Sequence, residues 1–336
     1  MTMRSKLTTS VADVRRAVRE SFERHGIAAG DKVLVACSGG PDSMALAAAL
    51  AFEGPKLELV LGAVIVDHGI QAATAQVALD AKAQLEEFGF SSVEIVRVEV
   101  GSEGGLEAAA RSARYEAIDE VAAAVDARYV LLGHTLNDQA ETVLLGLARG
   151  AGARSLSGMA ELTGRYLRPL LGISRETTVQ ACQDSGLKVW NDPHNSEERF
   201  ARVRVREQVL PVLETELGPG VVEALARTSD QLREDADYLD LHAEQAYQRL
   251  VKSGPTSISF EVTALADLAP AIRYRVIRLA GTTLGGHLHR SHVLEIDRLL
   301  TNWHGQKPLA VPSVRVERTG ENIVFRSTKT LKPGAC

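Results

Sequence analysis

The strongest constraint on the fold is an alternation of short apolar runs with helix-length segments over the first 150 or so residues. KVLVAC (32–37), LVLGAVIVD (59–67), SVEIVRVEV (92–100) and RYVLLGH (128–134) are apolar stretches of strand length. Residues 42–52, 74–88, 105–125 and 137–149, interleaved with them, read as helices. Strands that alternate with helices imply parallel βαβ units. Continuous apolar strands agree, because a parallel sheet is covered on both faces. The expected class is α/β, a doubly wound parallel sheet. An amphipathic helix precedes it, with Val11, Val14, Ala17, Val18 and Phe22 at helical spacing. Right-handed crossovers bring the C-terminal strand ends to one edge, where ligands sit in such folds.

From about residue 211 the texture changes. LPVLETELGPG closes the first region, and 221–252, 264–280 and 290–303 read as helices. The tail, PLAVPSVRVERTGENIVFRS, alternates like a small hairpin with a Gly-Glu-Asn turn. The chain of 336 residues suits two cores. The expected division is a first domain over 1–215 and a smaller, mostly helical second domain over 216–330.

A net charge of −5 argues against indiscriminate nucleic-acid binding, so any RNA contact must come from local basic patches. Cys37, Cys182 and Cys336 are far apart and form no CxxC pair, which disfavours a disulfide framework or a four-cysteine metal site. No apolar run reaches the roughly 20 residues of a membrane span. The N-terminal residues lack the apolar stretch of a secretory signal. A reduced, cytoplasmic setting fits, with no membrane partner. His287, His289, His292 and His304 read as a surface cluster, and Trp190 and Trp303 as packing residues.

The sharpest local feature is Ser38-Gly39-Gly40-Pro41-Asp42-Ser43, between a strand and a helix. Two glycines let backbone amides approach an anion. Pro41 suits a first helical turn, where its missing N–H costs nothing. The helix N-terminus adds unpaired amides and a positive dipole end. No lysine is present, so this is not the loop of a γ-phosphoryl transferase, and the spacing also fails the dinucleotide pattern. A carboxylate, Asp42, stands in the loop, which suits a bridging Mg²⁺ beside a triphosphate. A plain strand-to-helix turn is the alternative.

SGGxDS after an apolar strand resembles the PP-loop family, whose fold is adenine nucleotide alpha-hydrolase-like. That resemblance implies ATP cleavage between the α- and β-phosphates and adenylation of an acceptor oxygen. Four more segments resemble the lysidine synthases within it. Val66-Asp67-His68-Gly69 matches their VDHG segment, and Ala110–Tyr115 their ARxxRY helix, with Arg111 and Arg114 on one face. Gly133–Leu144 is similar to GHHxDDQxET. It keeps Gly133, His134, Asp138, Gln139, Glu141 and Thr142, but has Thr135 for the second His and Asn137 for the first Asp. An amide at 137 supplies no carboxylate charge, and Asn137 reads as a helix N-cap. Arg168–Glu176 resembles RPLLxxxRxE, and is followed by Asn191–Asn195 and by Arg199, Arg202, Arg204 and Arg206.

The resemblance implies an enzyme that adenylates the wobble cytidine of tRNA(Ile) with a CAU anticodon, then joins free L-lysine to C2. It implies ATP on Ser38, Gly39, Gly40, Pro41, Asp42 and Ser43, with Val66, His68 and Gly133 beside it. Mg²⁺ would be held by Asp42 and Asp138. Asp42, His134, Asp138 and Glu141 are the catalytic candidates. Arg111, Arg114, Arg199, Arg202, Arg204 and Arg206 are the tRNA candidates. A related PP-loop protein with a different acceptor is the alternative, and a homodimer is left open.

Overall fold

The computed structural model describes residues 7–67, 72–98, 106–150, 152–190, 199–254 and 256–328. The chain forms two compact units, Met1–Leu232 and Arg233–Cys336.

In the first unit, α1 (Thr9–Arg24) starts where the Thr8 hydroxyl accepts from the Val11 amide at 3.4 Å. Its apolar stripe buries Val14, Val18 and Phe22. Then come β1 (Lys32–Ala36), α2 (Pro41–Glu53), β2 (Val60–Asp67), α3 (Ala72–Glu87), β3 (Ser92–Arg97), α4 (Leu106–Ala124), β4 (Tyr129–Leu132) and α5 (Leu136–Ala148). After α6 (Ala153–Leu156), a hairpin of β5 (Leu162–Thr163) and β6 (Tyr166–Leu167) extends the sheet. The strand order is β3-β2-β1-β4-β6-β5. The first five are parallel and only β5 runs antiparallel.

Both faces of this sheet are covered, as the apolar strands require. Val33 and Val35 of β1 join Phe22, Met44, Leu46 and Leu50 in one core layer. Leu34, between them in sequence, points the other way and joins Val64, Ile118, Ala122 and Val130. The order reverses between β1 and β4, which are neighbours in space though not in sequence. Loops leaving such a pair diverge and open a crevice at their C-terminal ends. Gly133, just after β4, lies against the start of α2 so closely that a Cβ there would come within 3.0 Å of the Asp42 carbonyl and the Ser43 amide.

The chain continues through α7 (Arg175–Asp184), which packs on α1 and α2. Next are α8 (Ala201–Arg204), a π-helical turn over Val205–Val209, and α9 (Leu210–Leu217). The long α10 (Val221–Leu250) begins where the Glu214 carboxylate accepts from the amides of Gly220 (2.7 Å) and Val222 (3.0 Å).

The second unit carries the expected helices and adds a sheet to them. It holds a five-stranded antiparallel sheet, order β7-β8-β11-β10-β9, together with helices. Its strands are β7 (Lys252–Ser253), β8 (Ser257–Glu261), β9 (Leu309–Val311), β10 (Val314–Thr319) and β11 (Asn322–Ser327). The β10–β11 hairpin, turning at Gly320-Glu321, carries the longest alternation in sequence. β7 and β9 are too short to do so. α11 (Val262–Ala266) and α12 (Pro270–Thr283) replace the single helix expected over 264–280, because Pro270 starts a new helix rather than continuing one. α13 (Arg290–Thr301) completes the unit. Among the described residues no helix is long and apolar enough to cross a membrane.

Between α12 and α13 lies a buried ion pair. Arg273 Nε donates to Asp297 Oδ1 at 2.6 Å, and its Nη1 donates to the carbonyls of Ala266 and Leu268 at 2.7 and 2.8 Å. Satisfying several donors at once makes burial of the pair tolerable. Replacing one partner strands the other charge. Arg273→Met is therefore expected to destabilise this unit by about 3–5 kcal/mol. Denaturant unfolding of the full chain reads this, and a loss below about 1 kcal/mol would refute the assignment.

Candidate active site

The site grows from two loops at the switch between β1 and β4. After β1, Cys37 donates its amide to Val64 O at 2.9 Å, which holds the strand end against β2. Gly39 then takes φ = +78°, a conformation that a side chain disfavours. Pro41 opens α2 with Gly40 as N-cap. Ser43 organises the turn: its hydroxyl donates to Gly40 O at 3.0 Å and accepts from the Ser38 amide at 3.1 Å. The first-turn amides of α2 have no intrahelical acceptor and point toward the loop mouth. Beneath the turn, the Cys182 thiol donates to Pro41 O at 3.3 Å, and burial pushes its pKa up to about 12. Cys37 is also buried and raised, so both thiols are inert packing groups. Trp190 donates its amide to Gly39 O at 2.8 Å, which fastens the segment after α7 to the loop.

After β4, the second loop enters α5. Thr135, not Asn137, is the N-cap. The Thr135 amide and hydroxyl both donate to Asp138 Oδ2, at 2.8 and 3.1 Å. Asn137 is the second residue of the helix, and its Oδ1 accepts from the Arg175 amide at 2.9 Å. The residue that breaks the family string thus ties α5 to the start of α7.

Three carboxylates converge here. Asp42 comes from α2, and Asp138 and Glu141 from one face of α5. Arg175, at the head of α7, reaches all three. Its Nε is 3.3 Å from Asp42 Oδ2, its Nη2 3.1 Å from Asp138 Oδ1 and its Nη1 3.8 Å from Glu141 Oε1. The Thr178 hydroxyl, also on α7, donates to Asp42 Oδ1. Arg206, in the π-helical turn, forks onto Glu141 through Nε (2.6 Å) and Nη2 (3.1 Å). Arg202 lies 3.8 Å from Glu141 and donates to the Thr142 hydroxyl at 3.3 Å.

The electrostatics divide the carboxylates. Burial raises the pKa of Asp42 above the ordinary aspartate value, and Arg175 and Thr178 only partly offset it. Burial likewise raises Glu141 despite the Arg206 fork. Asp138 is also desolvated, but Arg175, the Thr135 amide, His134 and Arg206 outweigh burial and hold it below the usual value. Burial lowers His134 to about 4, with Arg168, Arg111 and Arg202 pushing the same way against Asp138. His134 is therefore a neutral imidazole at neutral pH, and its buried Nδ1 has no hydrogen-bond partner among the described residues.

The remaining sequence candidates fall in three places. Val66 is the penultimate residue of β2, paired with Val96 of β3, while His68 and residues 191–195 lie outside the described residues. Arg111 and Arg114 are exposed on α4, and Arg111 donates to the Tyr115 hydroxyl at 3.2 Å. Arg199 and Arg204 are exposed, while Arg202 and Arg206 are half-buried and turned to Glu141. Arg175 and Thr178 were absent from the sequence candidates, although Arg175 stands in the RPLLxxxRxE match.

As for a metal, Asp42 and Asp138 offer hard oxygen donors close enough to perturb each other's ionisation. Among the described residues no group of three or more potential ligands forms a cage. Two carboxylates without a cage suit a Mg²⁺ that takes its other ligands from phosphate and water.

The PP-loop domain family matches residues 10–213, and the TilS substrate binding domain family matches residues 260–322. The U34-tRNA thiolase NcsA from Methanococcus maripaludis, at 20% identity, superposes with a TM-score of 0.57 over 67% of this chain and 80% of its own, which supports the fold alone. The tRNA(Ile)-lysidine synthase of Leifsonia xyli is 52% identical, covering 90% of this chain and 91% of its own. That of Thermobifida fusca is 52% identical over 94% and 97%. That of Mycobacterium tuberculosis is 47% identical over 89% and 90%. Similarity of this depth, running through both matched domains, makes the chain a member of the tRNA(Ile)-lysidine synthase family of PP-loop proteins.

Proposed function

We propose that this protein is a ligase that uses ATP to adenylate the wobble cytidine of tRNA(Ile) bearing a CAU anticodon and then joins free lysine to C2. The observation that carries the reading is the lysine-free loop Ser38–Ser43, whose carboxylate shares one cluster with Asp138 and Glu141. A loop without lysine suits a pyrophosphate that leaves intact.

In this reading the amides and hydroxyls of Ser38–Ser43 bind the β- and γ-phosphates, with Val66, His68 and Gly133 beside the nucleotide. Asp42 and Asp138 would hold Mg²⁺, which supplies charge neutralisation for the departing pyrophosphate. The cytosine O2 attacks the α-phosphorus and forms an adenylated base. The ε-amine of lysine then attacks C2 and AMP leaves. The amine must lose a proton first. His134 and Glu141 are the candidates to accept it; burial raises the pKa of Glu141, which strengthens it as a base, and lowers that of His134, which weakens it. Exposed Arg111, Arg114, Arg199 and Arg204 meet tRNA phosphates, in a salt-dependent manner. Arg202 and Arg206 contribute from the cluster side, where they set the charge around Glu141. The catalytic domain spans 1–215, and 216–330 supplies further tRNA contacts. A single-stranded anticodon loop presents its wobble base without duplex opening.

Incubation with ATP, labelled lysine and unmodified tRNA(Ile) is expected to place label in the RNA. Asp42→Ala should lower that incorporation by about 100-fold or more while the protein stays folded. Absence of label with the parent protein, or full label with a folded Asp42→Ala, would contradict the reading.

The depressed pKa of His134 has a consequence for stability. Between pH 6.5 and about 4 the unfolded chain binds a proton at this imidazole that the folded chain does not. Stability from this group is thus complete above pH 6.5 and declines as pH falls toward 4. His134→Asn should flatten the acid side of the stability profile, measured by urea unfolding across that window. An unchanged slope would mean that the imidazole is not held neutral.

A further inference from the structure

We propose that Arg175 is a positioning residue that stands in for a divalent cation between Asp42 and Asp138, so that metal enters this site only with the charge of a nucleotide. The inference rests on the reading that those two carboxylates hold the metal, and it assigns a role to a residue that the reading does not use.

The carboxylate oxygens open to a cation are few. Asp42 Oδ1 takes the Thr178 hydroxyl, which leaves Oδ2. Asp138 Oδ2 takes the Thr135 amide and hydroxyl, which leaves Oδ1, with Arg206 Nη2 at 3.5 Å from it. Arg175 spans these two remaining oxygens with Nε and Nη2, at 3.3 and 3.1 Å. A planar fork matched to two carboxylates is the geometry at which arginine binds well and lysine does not. The fork is not loosely placed. Its residue opens α7, with its amide donating to Asn137 Oδ1 at 2.9 Å. A divalent cation bridging Asp42 and Asp138 needs the same two oxygens, and a +2 ion beside the guanidinium adds repulsion. The metal alone therefore competes poorly. A triphosphate changes the balance, because it brings ligands for the metal and an alternative anionic partner for the guanidinium.

The test is Mn²⁺ binding by the full chain without nucleotide, read from the electron paramagnetic resonance of free Mn²⁺. Arg175→Met is expected to bind Mn²⁺ at least tenfold more tightly than the parent protein. Adding Asp42→Asn to that variant should remove the gain. Equal affinity of Arg175→Met and parent would overturn the proposal. The underlying metal assignment is tested separately: Asp42→Asn alone should weaken binding of Mn²⁺ with a non-hydrolysable ATP analogue. If it does not, the metal reading fails. If it does, yet Arg175→Met gains nothing, only the role of Arg175 fails. Should Arg175→Met not fold, the Nε–H resonance of Arg175 in the parent protein, identified by its loss in Arg175→Lys, gives the answer. It should stay put with Mg²⁺ alone and shift when Mg²⁺ and the ATP analogue are added together. A resonance that moves with Mg²⁺ alone, or with neither addition, would overturn the proposal.

Discussion

The contact on which the site depends is the grip of α7 on the Asp42 carboxylate. Thr178 and Arg175 hold one oxygen each, and through Arg175 the same helix reaches Asp138 and Glu141. Loops after β1 and β4 diverge at a switch point, so nothing in the sheet itself fixes their distance. Two features do. Gly133 lets the second loop press against the first, where a Cβ would come within 3.0 Å of the Asp42 carbonyl and the Ser43 amide, and α7 bridges the side chains above. The phosphate-type loop and the α5 carboxylates thereby become one site rather than two strand ends.

Charge explains why the arrangement holds together. Three carboxylates in a desolvated cleft would repel and take up protons. Arg175, Arg202 and Arg206 keep the cluster near neutrality, with Glu141 fully buried beneath two of them. Removing one partner from a buried pair costs about 3–5 kcal/mol, several times the worth of an exposed pair. Arg202, together with Arg168 and Arg111, also helps to keep His134 neutral, although burial is the larger cause. A neutral imidazole beside ionised Asp138 is thus a product of position.

The parallel sheet was legible in the sequence because its central strands, β1, β2 and β4, are nearly continuous apolar runs, as two-sided burial requires. The β5–β6 hairpin was not, since two residues per strand carry no period. In the second unit, SISFE alternates, yet five residues cannot announce a sheet whose neighbours are β7 and β11. At the site, Ser38–Ser43 was readable because the chemistry and the turn lie in one string. Asn137 was misread as an N-cap, because its true partner, the Arg175 amide, is remote in sequence. Arg175 was visible as part of a matched segment, but no local signal could say that its fork meets carboxylates from two other helices.

The central claim is that the Ser38–Ser43 turn holds the pyrophosphate half of ATP while the α-phosphorus reacts. Exchange of labelled pyrophosphate into ATP, with unmodified tRNA(Ile) present and lysine omitted, tests it most directly. The account predicts exchange that depends on the tRNA, with AMP as the only nucleotide product once lysine is added. Formation of ADP and phosphate, without exchange, would contradict it.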